Sequence, residues 1–237
     1  MSDAQLVWLI TGSNRGIGLE LTKQLLQSPS NIVVAGCRSP PSATALNALA
    51  ESNKGRVHVV QLDIADRKSV TDSVQKVTAA LGDKGIDYII NNAGVNEADD
   101  RAFGMDLDAL ERTFHINVAG SAAVAQAFLP LLERGAKKTI VNVSSSLGSI
   151  GFDLGPVFAS YSITKTALNM LTYKQAKERP DLTVISMCPG HLKTDMGGPN
   201  AALDVSVGVA GVLKVVHALT PADSGKFYSH DGAIRPW

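Results

Sequence analysis

Cysteine is scarce in this 237-residue chain: only Cys37 and Cys188 occur, 151 positions apart. Two such thiols make no disulfide framework; reduced, buried thiols in a cytoplasmic protein are expected. Net charge is missing as well, with 22 basic side chains against 22 acidic ones. That balance excludes the basic footprint of a general nucleic-acid binder. No apolar run approaches the roughly 18 residues of a membrane span, so no membrane partner is expected. The start, Met1-Ser-Asp-Ala-Gln, lacks the basic region of a secretory signal. The histidines at 58, 115, 191, 217 and 230 have no metal-ligand spacing, and no metal is expected. Asn142-Val-Ser144 matches a glycosylation sequon but sits in an apolar run that reads as a buried strand.

Apolar material is plentiful at 45% of residues, and only 19% are charged, which suits a sizeable core and excludes a disordered chain. Short apolar runs alternate with helical stretches from end to end. The strand candidates are 6–11, 32–37, 57–62, 86–91, 139–144 and 182–188, with a weak seventh at 226–229. The helical stretches are roughly 15–27, 43–52, 66–81, 107–133, 156–178 and 204–218. Several strands are apolar at nearly every position, as strands buried on both faces should be. Alternating β and α segments predict a doubly wound, Rossmann-like parallel sheet of about seven strands with helices on both faces. No repeat, low-complexity tract or linker interrupts the chain, so residues 1–237 read as one domain. In such a sheet ligands bind at the carboxyl ends of the strands, where the strand order reverses.

The first strand runs into Thr11-Gly-Ser-Asn-Arg-Gly-Ile-Gly18 and then a helix. Glycines there allow a sharp turn and close approach of backbone to a ligand, and the helix N-terminus suits a pyrophosphate. The second strand ends at Arg38, and no acidic residue lies between Glu20 and Glu51. A dinucleotide fold selective for NAD usually has a carboxylate there to hold the ribose 2′-OH. Its absence, with Arg15 and Arg38 available for a 2′-phosphate, predicts NADP(H).

The Gly-x3-Gly-x-Gly spacing resembles that of the short-chain dehydrogenase/reductase family. Further motifs match in order: Asn91-Asn-Ala-Gly94, Asn117 in His-Ile-Asn-Val, Asn142-Val-Ser-Ser145, Tyr161-x3-Lys165, and Pro189-Gly190 with Thr194. Together they cover residues 11–194. The ending, Asp231-Gly-Ala-Ile-Arg-Pro-Trp237, resembles small carbonyl reductases related to the sniffer and C-factor proteins. The resemblance implies an NADPH-dependent reductase of ketones or aldehydes. It implies a cofactor site of Gly12, Ser13, Asn14, Arg15, Gly16, Ile17, Gly18, Arg38, Asp63, Ile64, Asn92, Ala93, Gly94, Tyr161, Lys165, Pro189, Gly190 and Thr194. Asp63 would face the adenine, although a helix cap or turn residue is an equal reading of it.

The resemblance implies that Asn117, Ser145, Tyr161 and Lys165 carry the catalysis. Tyr161 would donate the proton to the carbonyl oxygen. Lys165 lies four residues on, hence on the same helix face. A phenol is a reluctant acid, and a shift of about three pKa units needs about 4 kcal/mol. A cation about 4 Å away supplies a term of that size, so Lys165 is expected to lower the Tyr161 pKa. Lys165 would also hold the nicotinamide ribose. Ser145 would stabilise the developing charge on the substrate oxygen, with Ser146 as runner-up, and Asn117 would hold a water that relays protons to Lys165.

The interval from Ser145 to Tyr161 is 16 residues, which places a small insertion in 149–156. Segments 147–158 and 191–205 should form the substrate wall. They are rich in Gly, Leu, Phe, Ile and Met, so an apolar or aromatic carbonyl substrate is expected. Three alternatives stay open: a ketoreductase of aromatic polyketide metabolism, an alcohol dehydrogenase running in reverse, and a non-catalytic NADP(H) sensor. The small residues of 119–125 and the long helices 107–133 and 156–178 predict a homodimer or homotetramer. A second Tyr-x3-Lys, Tyr173/Lys177, lies about 18 Å further along its helix and about 120° round it, which reads as an ordinary amphipathic position.

Overall fold

Residues 5–237 are described in a computed structural model of the protein. The strands are β1 (Leu6–Thr11), β2 (Asn31–Cys37), β3 (Val57–Gln61), β4 (Tyr88–Asn91), β5 (Thr139–Val143), β6 (Thr183–Cys188) and β7 (Phe227–Ser229). The helices are α1 (Gly16–Leu25), α2 (Thr44–Ser52), α3 (Arg67–Leu81), α4 (Leu107–Phe114), α5 (Ser121–Glu133), α6 (Ala159–Glu178) and α7 (Val205–Ala218). The strands form a seven-stranded parallel sheet in the order β3-β2-β1-β4-β5-β6-β7, with helices on both sides, a Rossmann-like fold. The chain steps outward from β1 to β3 and returns to pair β4 with β1. The strand order reverses between β1 and β4, so Gly12 and Asn92, which follow those strands, stand at the switch point.

Two compact units can be distinguished. One runs to Ala93 and resumes over Ala123–Ile140; the other comprises Gly94–Ala122 and Val141–Trp237. In the first, β2 is buried along its whole length and β1 at five of its six positions, as the continuous apolar runs predict. Trp8 stacks on Tyr88 with ring centroids 3.7 Å apart, and its indole N–H donates to Asn31 Oδ1. The carboxylate of Asp87, buried just before β4, accepts from the backbone N–H groups of Val7 (2.8 Å), Ala136 (2.8 Å) and Lys137 (3.2 Å). β4 starts at Tyr88 and not at residue 86: the Ile86 N–H leaves the sheet for the Leu131 carbonyl, while the Asp87 backbone still bonds to Val7 and Thr139.

The expected helix 107–133 is continuous but not uniform. A π-helical turn, His115–Gly120, separates α4 from α5 and carries Asn117. Such turns insert an extra residue per turn and often mark functional positions. By length and composition alone this stretch could cross a membrane, its most apolar window having a mean hydropathy of 1.3. Polar residues such as Asn117 and Ser121 interrupt it, so it is not an unbroken apolar run. Of that window 44% is buried inside the protein, and a core helix meets the same criterion. Helix α6 begins at Ala159 and not at 156, because Phe158 adopts the left-handed conformation (φ 54°) that an α-helix cannot continue through. Three short 3-10 turns, Pro40–Ser42, Ser146–Gly148 and Pro221–Asp223, were not expected.

Replacing Asp87 by alanine leaves three N–H groups without their acceptor. Urea unfolding should show a loss of about 3 kcal/mol or more. A loss under about 1 kcal/mol would mean that water replaces the carboxylate.

Candidate active site

The glycine turn between β1 and α1 is shaped for close backbone approach. Gly12 has φ +70° and Gly16 φ +52°, both in the left-handed region. A Cβ on Gly18 would lie 2.3 Å from the Gly12 carbonyl oxygen, so only glycine fits. Ser13 is buried and structural, its hydroxyl donating to the Ile10 carbonyl (2.9 Å) and its N–H to the Gly36 carbonyl (2.9 Å). Asn14 and Arg15 are exposed, and Ile17 is half-buried. Helix α1 has no side-chain cap and no acidic residue in its first turn. Its N-terminal N–H groups therefore suit an anionic ligand.

The segment after β4 is tied to this turn. Thr11 Oγ1 accepts from the N–H groups of Asn92 (3.0 Å) and Ala93 (2.9 Å), and Asn92 Nδ2 donates to the Thr11 carbonyl (2.9 Å). Thr11 thus holds two expected cofactor residues, a role its place at a strand end did not reveal. Arg38 is exposed directly after β2. Asp63 serves its own turn: Oδ1 accepts from the Ala65 N–H (3.0 Å), while its N–H donates to Ser69 Oγ. Ile64 beside it is buried.

Within the second unit the four expected catalytic residues come together. Lys165 is 5% exposed, and its Nζ donates to the Val143 carbonyl at 2.8 Å. The same Nζ lies 5.5 Å from the centroid of the Tyr161 ring. Ser145 lies beside the Tyr161 hydroxyl and acts to lower its pKa, and the Ser145 Oγ accepts from the Leu147 N–H at 3.2 Å. The neighbouring serines are committed elsewhere. Ser144 is buried with its hydroxyl toward the Lys165 carbonyl, and Ser146 pairs with Cys188 through both Oγ (3.2 Å) and N–H (3.3 Å). Cys188 is an unforeseen member of the site, legible only once β6 is placed.

The Asn117 side chain is anchored through both its oxygen and its nitrogen. Its Oδ1 accepts from the Val95 N–H (2.8 Å), and its Nδ2 donates to the Val95 carbonyl (2.9 Å) and to Thr164 Oγ1 (3.0 Å). Both amide hydrogens are used, so the side chain staples the π turn to Val95 and to α6 and does not offer them to a relay water. Thr164, fully buried, passes the contact on to the Tyr161 carbonyl at 2.8 Å. Gly94 leaves the space between these groups open, since a Cβ there would lie 3.0 Å from Asn117 Oδ1 and 3.6 Å from Lys165 Nζ.

The electrostatics reverse one expectation. Burial raises the Tyr161 pKa above the ordinary phenol range; the nearby Cys188 sulfur adds to this and the Ser145 hydrogen bond opposes it. Burial also lowers Lys165 to about 8. Desolvation disfavours the charged form of both groups, and among the causes of the Tyr161 shift the lysine charge does not figure. After β6, Gly190 (φ +92°) packs on the His230 ring, and Thr194 Oγ1 accepts from the Gly197 N–H at 3.2 Å. The segment 191–205 folds back on itself through Lys193 N–H to the Leu203 carbonyl (2.9 Å) and a Lys193–Asp204 ion pair (2.9 Å).

This arrangement separates the serines experimentally. Ser145→Ala should lower turnover of a carbonyl substrate about 100-fold or more, as loss of one oxyanion donor does elsewhere. Ser146→Ala should stay within about threefold of the parent. The reverse ranking in steady-state assays would move the oxyanion role to Ser146.

Comparison with known proteins agrees with this geometry. The family model for short chain dehydrogenases matches residues 6–203. An uncharacterised oxidoreductase of Schizosaccharomyces pombe is 31% identical, with 100% of each chain covered. The C-signal protein of Myxococcus xanthus is 36% identical over 64% of this chain and 93% of its own. Among solved structures, the carbonyl reductase Sniffer of D. melanogaster superimposes with a TM-score of 0.93 at 30% identity, covering 98% of this chain and 100% of that one. An NADPH-bound carbonyl reductase from chicken fatty liver gives 0.93 at 32% identity, covering 99% and 100%. With a matching fold, an ordered set of motifs and a family model spanning most of its length, the chain belongs to the short-chain dehydrogenase family of oxidoreductases.

Proposed function

We propose that this protein reduces ketones or aldehydes to alcohols with NADPH. The single observation that carries the reading is the Ser145–Tyr161–Lys165 cluster, in which a tyrosine hydroxyl and a serine hydroxyl meet beside a buried lysine. Bound NADPH would supply the hydride. Gly12–Gly18 with the α1 N-terminus would take its pyrophosphate, and Arg15 and Arg38 its 2′-phosphate. The fit rests on the open first turn of α1, the missing Cβ at Gly18 and the absence of an acid after β2. The carbonyl reductase from chicken fatty liver, which carries NADPH, supports the same choice.

The protein's own groups do the rest. Tyr161 holds its proton at neutral pH because burial disfavours the phenolate. That is the state required of a donor to a carbonyl oxygen that is gaining charge. Oxidation of an alcohol would use the phenolate of the same Tyr161 as base. Ser145 offers a second hydroxyl to the same oxygen. Lys165 carries its positive charge below about pH 8 and loses it above. An apolar or aromatic substrate suits the segments that follow β5 and β6, where Ile150, Leu154 and Met196 are exposed. A cytoplasmic setting belongs to this reading, since Cys37 and Cys188 are free thiols; cell fractionation tests it.

The assembly proposed is a homodimer or homotetramer built on α4 and α6. These elements expose Leu107 (65%), Phe114, Ile163, Met170 (57%) and Tyr173, more apolar surface than two solvated helices need. Tyr173, with Lys177 5.3 Å from its ring, belongs to this face. Sedimentation at micromolar concentration should give at least twice the 24.9 kDa chain mass. A single 24.9 kDa species would exclude the assembly.

Two experiments test the chemistry. Fluorescence titration should show NADPH binding at least tenfold tighter than NADH, and Arg38→Ala should remove most of that preference. Equal affinities in the parent protein would overturn the 2′-phosphate assignment. Tyr161→Phe should lower kcat by 100-fold or more while keeping NADPH affinity, whereas Tyr173→Phe should keep near-normal turnover. In the same assay kcat for reduction should fall as pH rises above about 8, where Lys165 loses its proton. Normal turnover by Tyr161→Phe would refute the mechanism.

A further inference from the structure

The segment 149–155 leads from the Ser146–Gly148 turn toward α6. It begins at Gly148, whose carbonyl accepts from Thr166 Oγ1 and Asn169 Nδ2, both at 3.0 Å. Beyond that anchor no regular element holds it, yet it does not float. The Ser149 hydroxyl donates to the Pro236 carbonyl at 2.7 Å and accepts from the Phe152 N–H at 3.1 Å. The Gly151 N–H donates to the Trp237 carbonyl at 3.0 Å. The Arg235 guanidinium lies 4.9 Å from the centroid of the Phe152 ring, a cation–π contact. The fit is close: a Cβ on Gly151 would lie 2.9 Å from Pro236 Cβ.

The partner segment, 235–237, is itself fixed to the sheet. The Arg235 N–H donates to the Phe227 carbonyl at 2.7 Å, and the Trp237 ring stacks on the buried Phe227 at 5.7 Å. Loop and strap are joined across 87 positions of sequence. What the strap holds in place is apolar and faces outward: Ile150 is 83% exposed and Leu154 43%. These side chains stand only five and nine residues beyond Ser145, on the segment that leaves the catalytic serine.

We infer that the strap Arg235-Pro-Trp237 determines substrate size, by fixing the 149–155 loop as a rigid apolar wall against which a bulky aromatic or alicyclic ketone rests. The inference rests on the carbonyl reductase reading of Ser145 and Tyr161. A rigid wall contributes more binding than a mobile one, because ordering it is not charged against the ligand. A small aldehyde that reaches Tyr161 without touching the wall gains nothing from it. The strap residues act through the loop and touch neither reacting atom, so they are specificity-determining and not catalytic.

The test uses the full chain with Arg235→Met and, separately, Trp237→Ala. Calorimetry on the NADP+-loaded protein measures binding of a bulky aryl ketone, and steady-state assays with NADPH compare that ketone with a small aliphatic aldehyde. Expected is about fivefold or greater weakening of ketone binding, with KM for the ketone rising in parallel. Both kcat values, KM for the aldehyde and the affinity for NADPH should stay within about twofold. Unchanged ketone binding in both variants would overturn the inference, as would equal losses for ketone and aldehyde or a parent protein that does not bind the ketone. A parent that binds the ketone but turns over neither carbonyl would refute the reductase reading alone, since the calorimetric comparison still decides the role of the strap.

Discussion

The constraint on which the site depends is the burial of Lys165. Its ammonium group sits at the end of β5, held by the Val143 carbonyl and joined to no carboxylate among the described residues. An unpaired buried cation is unfavourable, and the site responds by lowering its pKa to about 8. The same desolvation keeps Tyr161 protonated. One environment thus keeps Tyr161 in its protonated form and brings the Lys165 titration down toward neutral pH. Everything around them serves to hold that geometry: Ser144 and Ser146 are turned aside, Ser145 is left facing Tyr161, and Thr164 and Asn117 fix the helix that carries the pair.

Much of the fold was legible because its signals are local. The strands β1 and β2 are apolar at almost every position, and the glycines at 12, 16 and 18 have the conformations or close contacts that only glycine permits. The motif residues Asn92, Ala93 and Gly94 fall directly after β4, as their order along the chain predicts. The Tyr-x3-Lys spacing places Tyr161 and Lys165 on one helical face, and in space the lysine lies over the tyrosine ring.

What was not legible depends on partners distant in sequence. The identity of the serine facing Tyr161 is set by Cys188, 42 positions from Ser146, which draws that serine away. The role of Asn117 is set by Val95 and by a π turn, a departure from regular helix with no periodic signature of its own. The late start of α6 follows from the left-handed Phe158, a conformation that composition would not place at an aromatic residue. The balance between lysine charge and burial could not be judged from spacing, because four residues of helix give a separation but no measure of solvent exclusion. The strap reaches its loop only through the tertiary fold.

The central claim is that a buried lysine and a protonated tyrosine complete hydride reduction of a carbonyl. Deuterium transfer tests it most directly. NADPH labelled with deuterium at C4 of the nicotinamide is incubated with the protein and an aryl ketone, and the alcohol is analysed by mass spectrometry and NMR. The account predicts label on the carbinol carbon in proportion to NADPH consumed, and its near disappearance in Lys165→Met. Label lost to solvent, or undiminished transfer in Lys165→Met, would contradict it.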